Sequence, residues 1–337
     1  MTWTRLCLAA LMCMCSCSIA AGMQPRTAEL RGGRWVEVEQ PATQAVQDPR
    51  LDRLDEMVER GRYRKARARL VRWFRANPES PLRDRALFLM ARALYGYGDR
   101  IRSFYYLDEL MDTYPESRYF YPALELQYTI ADRYLDGYKR RLLGIPLFKA
   151  EDEAVEMLYR IQQRSPGSPL AERALLRTAD YYYADGQYDL AADVYAAYAR
   201  NYPRSPTTPR VRLRQAYAYL LQFNGPRFDA TPMINAREQL NTIMEEYPEL
   251  AREEQVPQLL ERIDEAMARK LYLTGDFYRR TREPGAAAYL YQYVLERYPE
   301  SEVADDARQW LARLPAAARD VPEPAIADEA PDLMQTP

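Results

Sequence analysis

The chain has 337 residues, 47% hydrophobic and 28% charged, enough apolar material for a sizeable core in one elongated domain or two compact ones. A formal net charge of −2 argues against nucleic acid as the main partner, because a surface that tracks phosphates needs a large basic excess. Histidine is absent and all four cysteines (Cys7, Cys13, Cys15, Cys17) lie in the first 17 residues, which removes Ser-His and Cys-His nucleophiles, imidazole acid–base chemistry and thiolate or imidazole zinc sites.

The first segment reads as a leader. Arg5 precedes an apolar stretch from Leu6 to Cys15, and small residues follow, the layout of a secretory signal peptide over residues 1–20. Ser18-Ile19-Ala20 fits cleavage after Ala20, whereas Cys17 after Ser16 is a lipidation candidate, with Met14 where a lipoprotein signal usually carries Leu. Either way no cysteine pair remains for a structural disulfide. No later apolar run approaches the roughly 18 residues of a spanning helix, so membrane contact would be through a lipid or the protein surface. Residues 21–50, with Gly32-Gly33 and Pro41, read as an extended linker containing a short strand at "RWVEVE".

From residue 51 the pattern becomes helical and repeats. In "YYYADGQYDLAADVYAAYARNYPRSP", residues 181–206, and just before it, Leu175, Ala179 and Tyr182 fall at 0, +4 and +7 on one helix face; Gly186 breaks the pattern, and Ala191, Tyr195 and Tyr198 repeat it. Small Ala179 and Ala191 permit close approach of two antiparallel helices, with tyrosines filling the space around them. The closing proline recurs at Pro78, Pro115, Pro166, Pro203, Pro248 and Pro299. Five of these continue as Pro-x-Ser, which predicts Ser80, Ser117, Ser168, Ser205 and Ser301 as N-caps, with Pro81 and Pro169 at the first helical position. The same register returns with Leu87, Ala91, Leu94, Gly98, Leu107 and Leu110, again with Leu271, Gly275, Tyr278, Ala287, Tyr291 and Val294, and more loosely with Gly61, Ala66, Leu70 and Trp73. The hairpins ending at Pro166 and Pro248 carry insertions, "DGYKRRLLGIPLFKAEDE" and "QFNGPRFDATPM". Residues 315–337 hold five prolines and a net acidic charge, too little apolar surface to fold.

Two local features invite a functional reading. "RGRYRKARARLVRWFR", Arg60–Arg75, packs eight basic residues into sixteen, either a solvated repeat helix or a surface for anionic headgroups or an acidic partner. The "EDE" at Glu151–Glu153 reads as the negative first turn of a helix rather than a metal cluster. No EF-hand spacing, P-loop or Gly-rich dinucleotide loop occurs. No catalytic, metal or cofactor site, and no small-molecule substrate, is therefore expected.

The hairpins resemble tetratricopeptide repeats, which implies an all-α fold, a right-handed tetratricopeptide-repeat solenoid of antiparallel helix pairs over residues 51–314 with no β-sheet in that range. In such stacks the first helix of each pair lines the concave face, which nominates Phe88, Arg92, Tyr95, Arg173, Asp180 and Tyr183 as a partner-binding groove. "NAREQLNTIMEEYPE" preceding "RKLYLTGDFYRRTREPGAAAYLYQYVLERYPES", with Ala236–Leu240, the long helix through Arg269–Tyr278, and Tyr298-Pro299-Glu300-Ser301, resembles the BamD-type outer-membrane assembly lipoproteins. That resemblance implies a non-enzymatic scaffold at the periplasmic face of the outer membrane, or in the soluble periplasm without a lipid, with the barrel-assembly machinery and unfolded outer-membrane proteins as partners. The imperfect lipid signal, an extra hairpin and the acidic tail depart from the family. They leave open a periplasmic adaptor for another envelope process, such as division or cell-wall enzyme recruitment.

Overall fold

The computed structural model describes residues 27–31, 34–38, 47–136, 140–142, 145–148 and 151–319. The expected signal peptide with Cys17, parts of the linker, and residues 320–337 of the expected tail lie outside the described residues. The chain divides into two units, Met1–Ile130 and Ala131–Pro337.

In the first unit β1 (Thr27–Arg31) and β2 (Arg34–Val38) pair antiparallel, Thr27 opposite Val38 and Arg31 opposite Arg34. The strand anticipated at "RWVEVE" is β2, and "TAELR" supplies an unanticipated partner. Helices α1 (Pro49–Glu59), α2 (Tyr63–Ala76), α3 (Arg83–Tyr97) and α4 (Arg100–Thr113) follow, joined by short turns, and α5 (Phe120–Leu135) begins here. Leu51, Leu54, Leu70, Trp73, Leu89 and Met90 form the core between α1, α2 and α3. Each such fully buried leucine contributes about 1.5–3 kcal/mol. Asp48 caps α1 by accepting from the Arg50 amide at 2.8 Å, and the Trp73 indole donates to its other oxygen at 2.8 Å, so the cap of α1 also fixes α2.

In the second unit a short hairpin, β3 (Arg140–Leu142) with β4 (Ile145–Phe148), leads into α6 (Glu151–Arg164). This corrects the expectation of no β-sheet within residues 51–314. The insertion carries "LLGIPLF", apolar residues flanking a glycine, which is the signature of a tight hairpin rather than of a helix. Glu151–Glu153 do open a helix, α6. Then come α7 (Pro169–Ala184), α8 (Tyr188–Asn201), α9 (Thr208–Gln222), α10 (Thr231–Glu246), the short α11 (Pro248–Glu253), the 25-residue α12 (Val256–Arg280), α13 (Pro284–Arg297), α14 (Ala304–Arg313) and α15 (Ala316–Arg319).

The chain is thus all-α in architecture, built of successive tetratricopeptide-type helix pairs, with the two hairpins as additions. Most packing positions read from the repeats are buried, Leu175, Ala179, Ala191, Tyr195 and Tyr198 between α7 and α8, and Leu271, Ala287, Tyr291 and Val294 between α12 and α13, whereas Tyr182 and Tyr278 are half-buried against the same cores. Gly275 lets α12 meet α13 closely, since a Cβ there would stand 2.9 Å from a carbon of the Tyr291 ring. Gly186 ends the α7 turn at φ +79°, a conformation that favours glycine.

The terminators behave mechanically. Pro78, Pro115, Pro166, Pro203 and Pro299 each follow two residues after a helix end, while Pro248 opens α11. The predicted caps need revision. Ser168 caps α7, accepting from the Ala171 amide at 3.1 Å, and Pro169 is its first residue. Ser80, Ser117 and Ser205 instead accept from the amide two residues on, shaping the turn ahead of the helix, and Pro81 lies in that turn. For these three, and for Ser301, the helix begins three residues after the serine, which leaves the serine two positions ahead of the N-cap, whereas α7 begins immediately after Ser168.

The second insertion is held from below. Lys270 of α12 is buried, and its ammonium donates to the Phe228 carbonyl at 2.6 Å. Burial lowers its pKa, opposed by the nearby charge of Asp229. That contact ties the loop of eight residues, 223–230, to α12.

Candidate partner-binding faces

The residues nominated for the groove lie on the first helices of two pairs, one in each unit. On α3, Phe88, Arg92 and Tyr95 are half-buried and share one stripe at intervals of four and three. Phe88 stacks on Tyr119 with centroids 5.2 Å apart, and the Arg92 guanidinium lies 5.9 Å from the Phe88 ring. Arg100 covers the Tyr95 ring at 5.6 Å. Burial raises the pKa of Tyr119 against the opposing charge of Arg118. The result is an aromatic surface dressed with guanidinium groups, suited to contact with an extended chain.

On α7, Arg173 is exposed while Asp180 and Tyr183 are half-buried. Tyr183 packs edge-on against Tyr188 at 5.6 Å and Tyr195 at 6.5 Å. Burial raises its pKa, with a smaller contribution from Tyr188. Asp180 accepts from the Tyr195 hydroxyl at 2.7 Å and from Arg214 of α9 at 2.6 and 2.8 Å. Burial first, then the bond to Asp180, pushes the Tyr195 hydroxyl far above its ordinary range. At neutral pH this phenol is a fixed donor and not an acid–base group.

Arg92 and Asp180 therefore have a duty that spacing within one repeat did not reveal. Arg92 donates to Asp55 of α1 at 2.8 Å, and Arg85 pairs with Asp52 of the same helix at 2.8 Å. In the second unit Arg177 of α7 donates to Asp132 and Asp136 of α5 at 2.5 and 2.7 Å, and Arg214 of α9 takes Asp180 of α7. Each tie joins the first helix of one pair to the first helix of the pair before it. A second set of ties reaches back from the repeat terminators. Ser117 donates to Asp84 at 2.6 Å and Ser205 to Glu172 at 2.6 Å, and Glu172 also accepts from Tyr198 at 2.5 Å. The legible signal was an acid 33 residues ahead of the terminator serine, one repeat length away.

Among the described residues no group of three or more potential ligating side chains is arranged to hold a metal ion, and no helix is long and apolar enough to cross a membrane. A family model described as "Outer membrane lipoprotein", YfiO, matches residues 149–331, slightly over half of the chain. No curated protein matches the sequence. Among solved structures, a tetratricopeptide repeat protein from Parabacteroides merdae is 14% identical, with 78% of this chain and 97% of that one covered and a TM-score of 0.34. The C-terminal part of a repeat-containing protein from Cytophaga hutchinsonii is 10% identical, with 76% and 98% covered and a TM-score of 0.30.

Proposed function

From the premise that this chain belongs to the YfiO family of outer membrane lipoproteins, the BamD type anticipated from residues 236–301, we propose that it is a non-enzymatic scaffold facing the periplasm that helps assemble outer-membrane β-barrel proteins. The observation that carries this is the family match from α6 through α15, which includes the long helix α12 and its partner α13. On this reading the chain works through protein contacts with the barrel-assembly machinery and with unfolded outer-membrane proteins. The faces around Phe88 and Tyr95 on α3, and around Arg173 and Tyr183 on α7, supply the aromatic and basic contact area such partners need. Lipidation at Cys17 would hold the protein at the membrane; cleavage after Ala20 would release it to the periplasm.

A second reading has its own support. The helix pairs α1–α2 and α3–α4 lie ahead of the matched residues, and they carry both the Phe88 stripe and the basic helix α2. Such an addition suits an adaptor for another envelope process, such as division or recruitment of a cell-wall enzyme. Purification of the tagged protein from the cell envelope, followed by identification of what accompanies it, separates the two. Recovery of a barrel-assembly protein supports the first, and recovery of division or cell-wall proteins without it overturns the first in favour of the second.

A further inference from the structure

The outward face of α2 is the most concentrated charge in the first unit. Ala66, Leu70 and Trp73 point into the core, which turns Arg64, Lys65, Arg72 and Arg75 to the opposite side, all exposed. α2 contains no acidic residue. None of these four cations forms an ion pair among the described residues, and Arg72 meets only the Ala68 carbonyl of its own helix, at 3.4 Å. Arg64 and Lys65 sit in the first turn, where the helix dipole disfavours positive charge. Local helix stability therefore does not account for them.

The shape of the face says what it fits. Between the cations stand Ala68 and the partly exposed Val71, so the ridge is low, and Arg64 to Arg75 spans roughly 16 Å along the axis. Beside it Tyr97, 49% exposed, lies under the Arg67 guanidinium at 4.7 Å. A carboxylate-bearing protein partner is normally held by guanidinium groups fixed in place by neighbours, around a pocket that excludes water. Here the cations are long, without ion-pair partners among the described residues and spread along one exposed helix face, the arrangement that matches a diffuse sheet of negative charge. We propose that this face of α2 is a contact for an anionic phospholipid bilayer surface, engaged by electrostatics without insertion. The contact goes beyond the scaffold reading and does not depend on which proteins the scaffold serves.

The test uses the chain after removal of the expected signal peptide, residues 21–337, so that neither leader nor lipid contributes. Co-sedimentation is measured with vesicles of phosphatidylcholine containing about 30% phosphatidylglycerol, and with phosphatidylcholine alone. The parent is expected to bind the anionic vesicles, to ignore the neutral ones, and to be released as salt rises from about 0.1 to about 0.5 M. Replacing Arg64, Lys65, Arg72 and Arg75 together by Gln should lower the bound fraction by roughly tenfold or more at an unchanged melting temperature. The charge-preserving set Arg64→Lys, Arg72→Lys and Arg75→Lys should bind like the parent. Absence of parent binding to anionic vesicles overturns the proposal, as does equal binding by the folded Gln variant. Loss of an acidic protein from envelope pull-downs of the Gln variant, with no vesicle binding by the parent, would assign the face to a protein instead.

Discussion

Tyr195 of α8 donates its hydroxyl proton to Asp180 of α7 at 2.7 Å, and Arg214 of α9 binds the same carboxylate, so one acid joins three consecutive helices. Tyr195 is 1% exposed, whereas the Arg214 side chain is half exposed. Removing Asp180 strands a buried hydroxyl, while removing Arg214 leaves a cation's former partner still bonded and solvated. The expected order of destabilisation is Asp180→Ala, about 2–3 kcal/mol, then Tyr195→Phe, about 1 kcal/mol, then Arg214→Gln, under about 1 kcal/mol. Urea unfolding midpoints of the three variants give the order. A loss for Arg214→Gln equal to that for Asp180→Ala would mean that the ion pair, and not the tyrosine bond, holds the helices.

Ala179 is fully buried where α7 meets α8, among Leu175, Ala191 and Tyr195. Ala179→Leu adds carbon atoms to a filled contact, with an expected cost of about 1–3 kcal/mol from overpacking. Tyr183→Phe keeps the ring contacts with Tyr188 and Tyr195 and should cost no more than about 1 kcal/mol. Thermal melts of the two variants compare them directly. A greater loss for Tyr183→Phe would show that the hydroxyl, and not the ring, anchors that side chain.

What could be read from the sequence was whatever is local. Ala191, Tyr195 and Tyr198 announce their shared face through spacing within one helix, and the terminator prolines mark helix ends because proline beyond the first turn removes a backbone donor and clashes with the preceding turn. The ties between repeats were not legible in the same way. Arg92 with Asp55, and Arg214 with Asp180, pair across 37 and 34 residues, so no pattern inside a single helix identifies them. Arg92 and Asp180 were nominated for a groove because they sit off the packing stripe. They do sit there, but each is also engaged by a neighbouring repeat. The β3–β4 hairpin has no such periodic signature, because two strands of three and four residues are too short to carry a period of their own.

Asp48 makes the first repeat sensitive to acid. Burial pushes its carboxyl up, but hydrogen bonds from Arg50 and Trp73, with the Arg50 charge, outweigh this and hold its pKa at about 2. In the unfolded chain an aspartate titrates near 3.9, so the folded value is depressed. The stabilisation is therefore complete above about pH 4 and is lost as pH falls through about 2. Asn in its place can still cap α1 but carries no charge. The parent should exceed Asp48→Asn in stability by roughly 1 kcal/mol at pH 6, with the gap closing by pH 2. Denaturant titrations at several pH values between these limits measure the gap, and a constant difference would show that the Asp48 charge contributes nothing.

The stripe on α3 gives the sharpest test of partner capture, provided structural and contact effects are kept apart. Arg92→Ala and Tyr95→Ala together are expected to weaken recovery of envelope partners, because they remove a guanidinium and an aromatic ring from one face. The bond from Arg92 to Asp55 complicates the pair, since its loss also loosens α3 from α1. Asp55→Ala supplies the control: it breaks the same tie, and the Arg85–Asp55 contact at 3.7 Å with it, while leaving Arg92 in place. Tyr95→Ala alone should reduce partner recovery with a melting temperature near the parent value, because the ring is only half-buried, with the Arg100 guanidinium over its face. Arg92→Ala should reduce recovery further and lower stability by up to about 1 kcal/mol, matched in stability, but not in recovery, by Asp55→Ala. Equal loss of recovery in Asp55→Ala and Arg92→Ala would make Arg92 a stacking residue only. Full recovery by a folded Tyr95→Ala variant would move the interface to the α7 face around Arg173 and Tyr183.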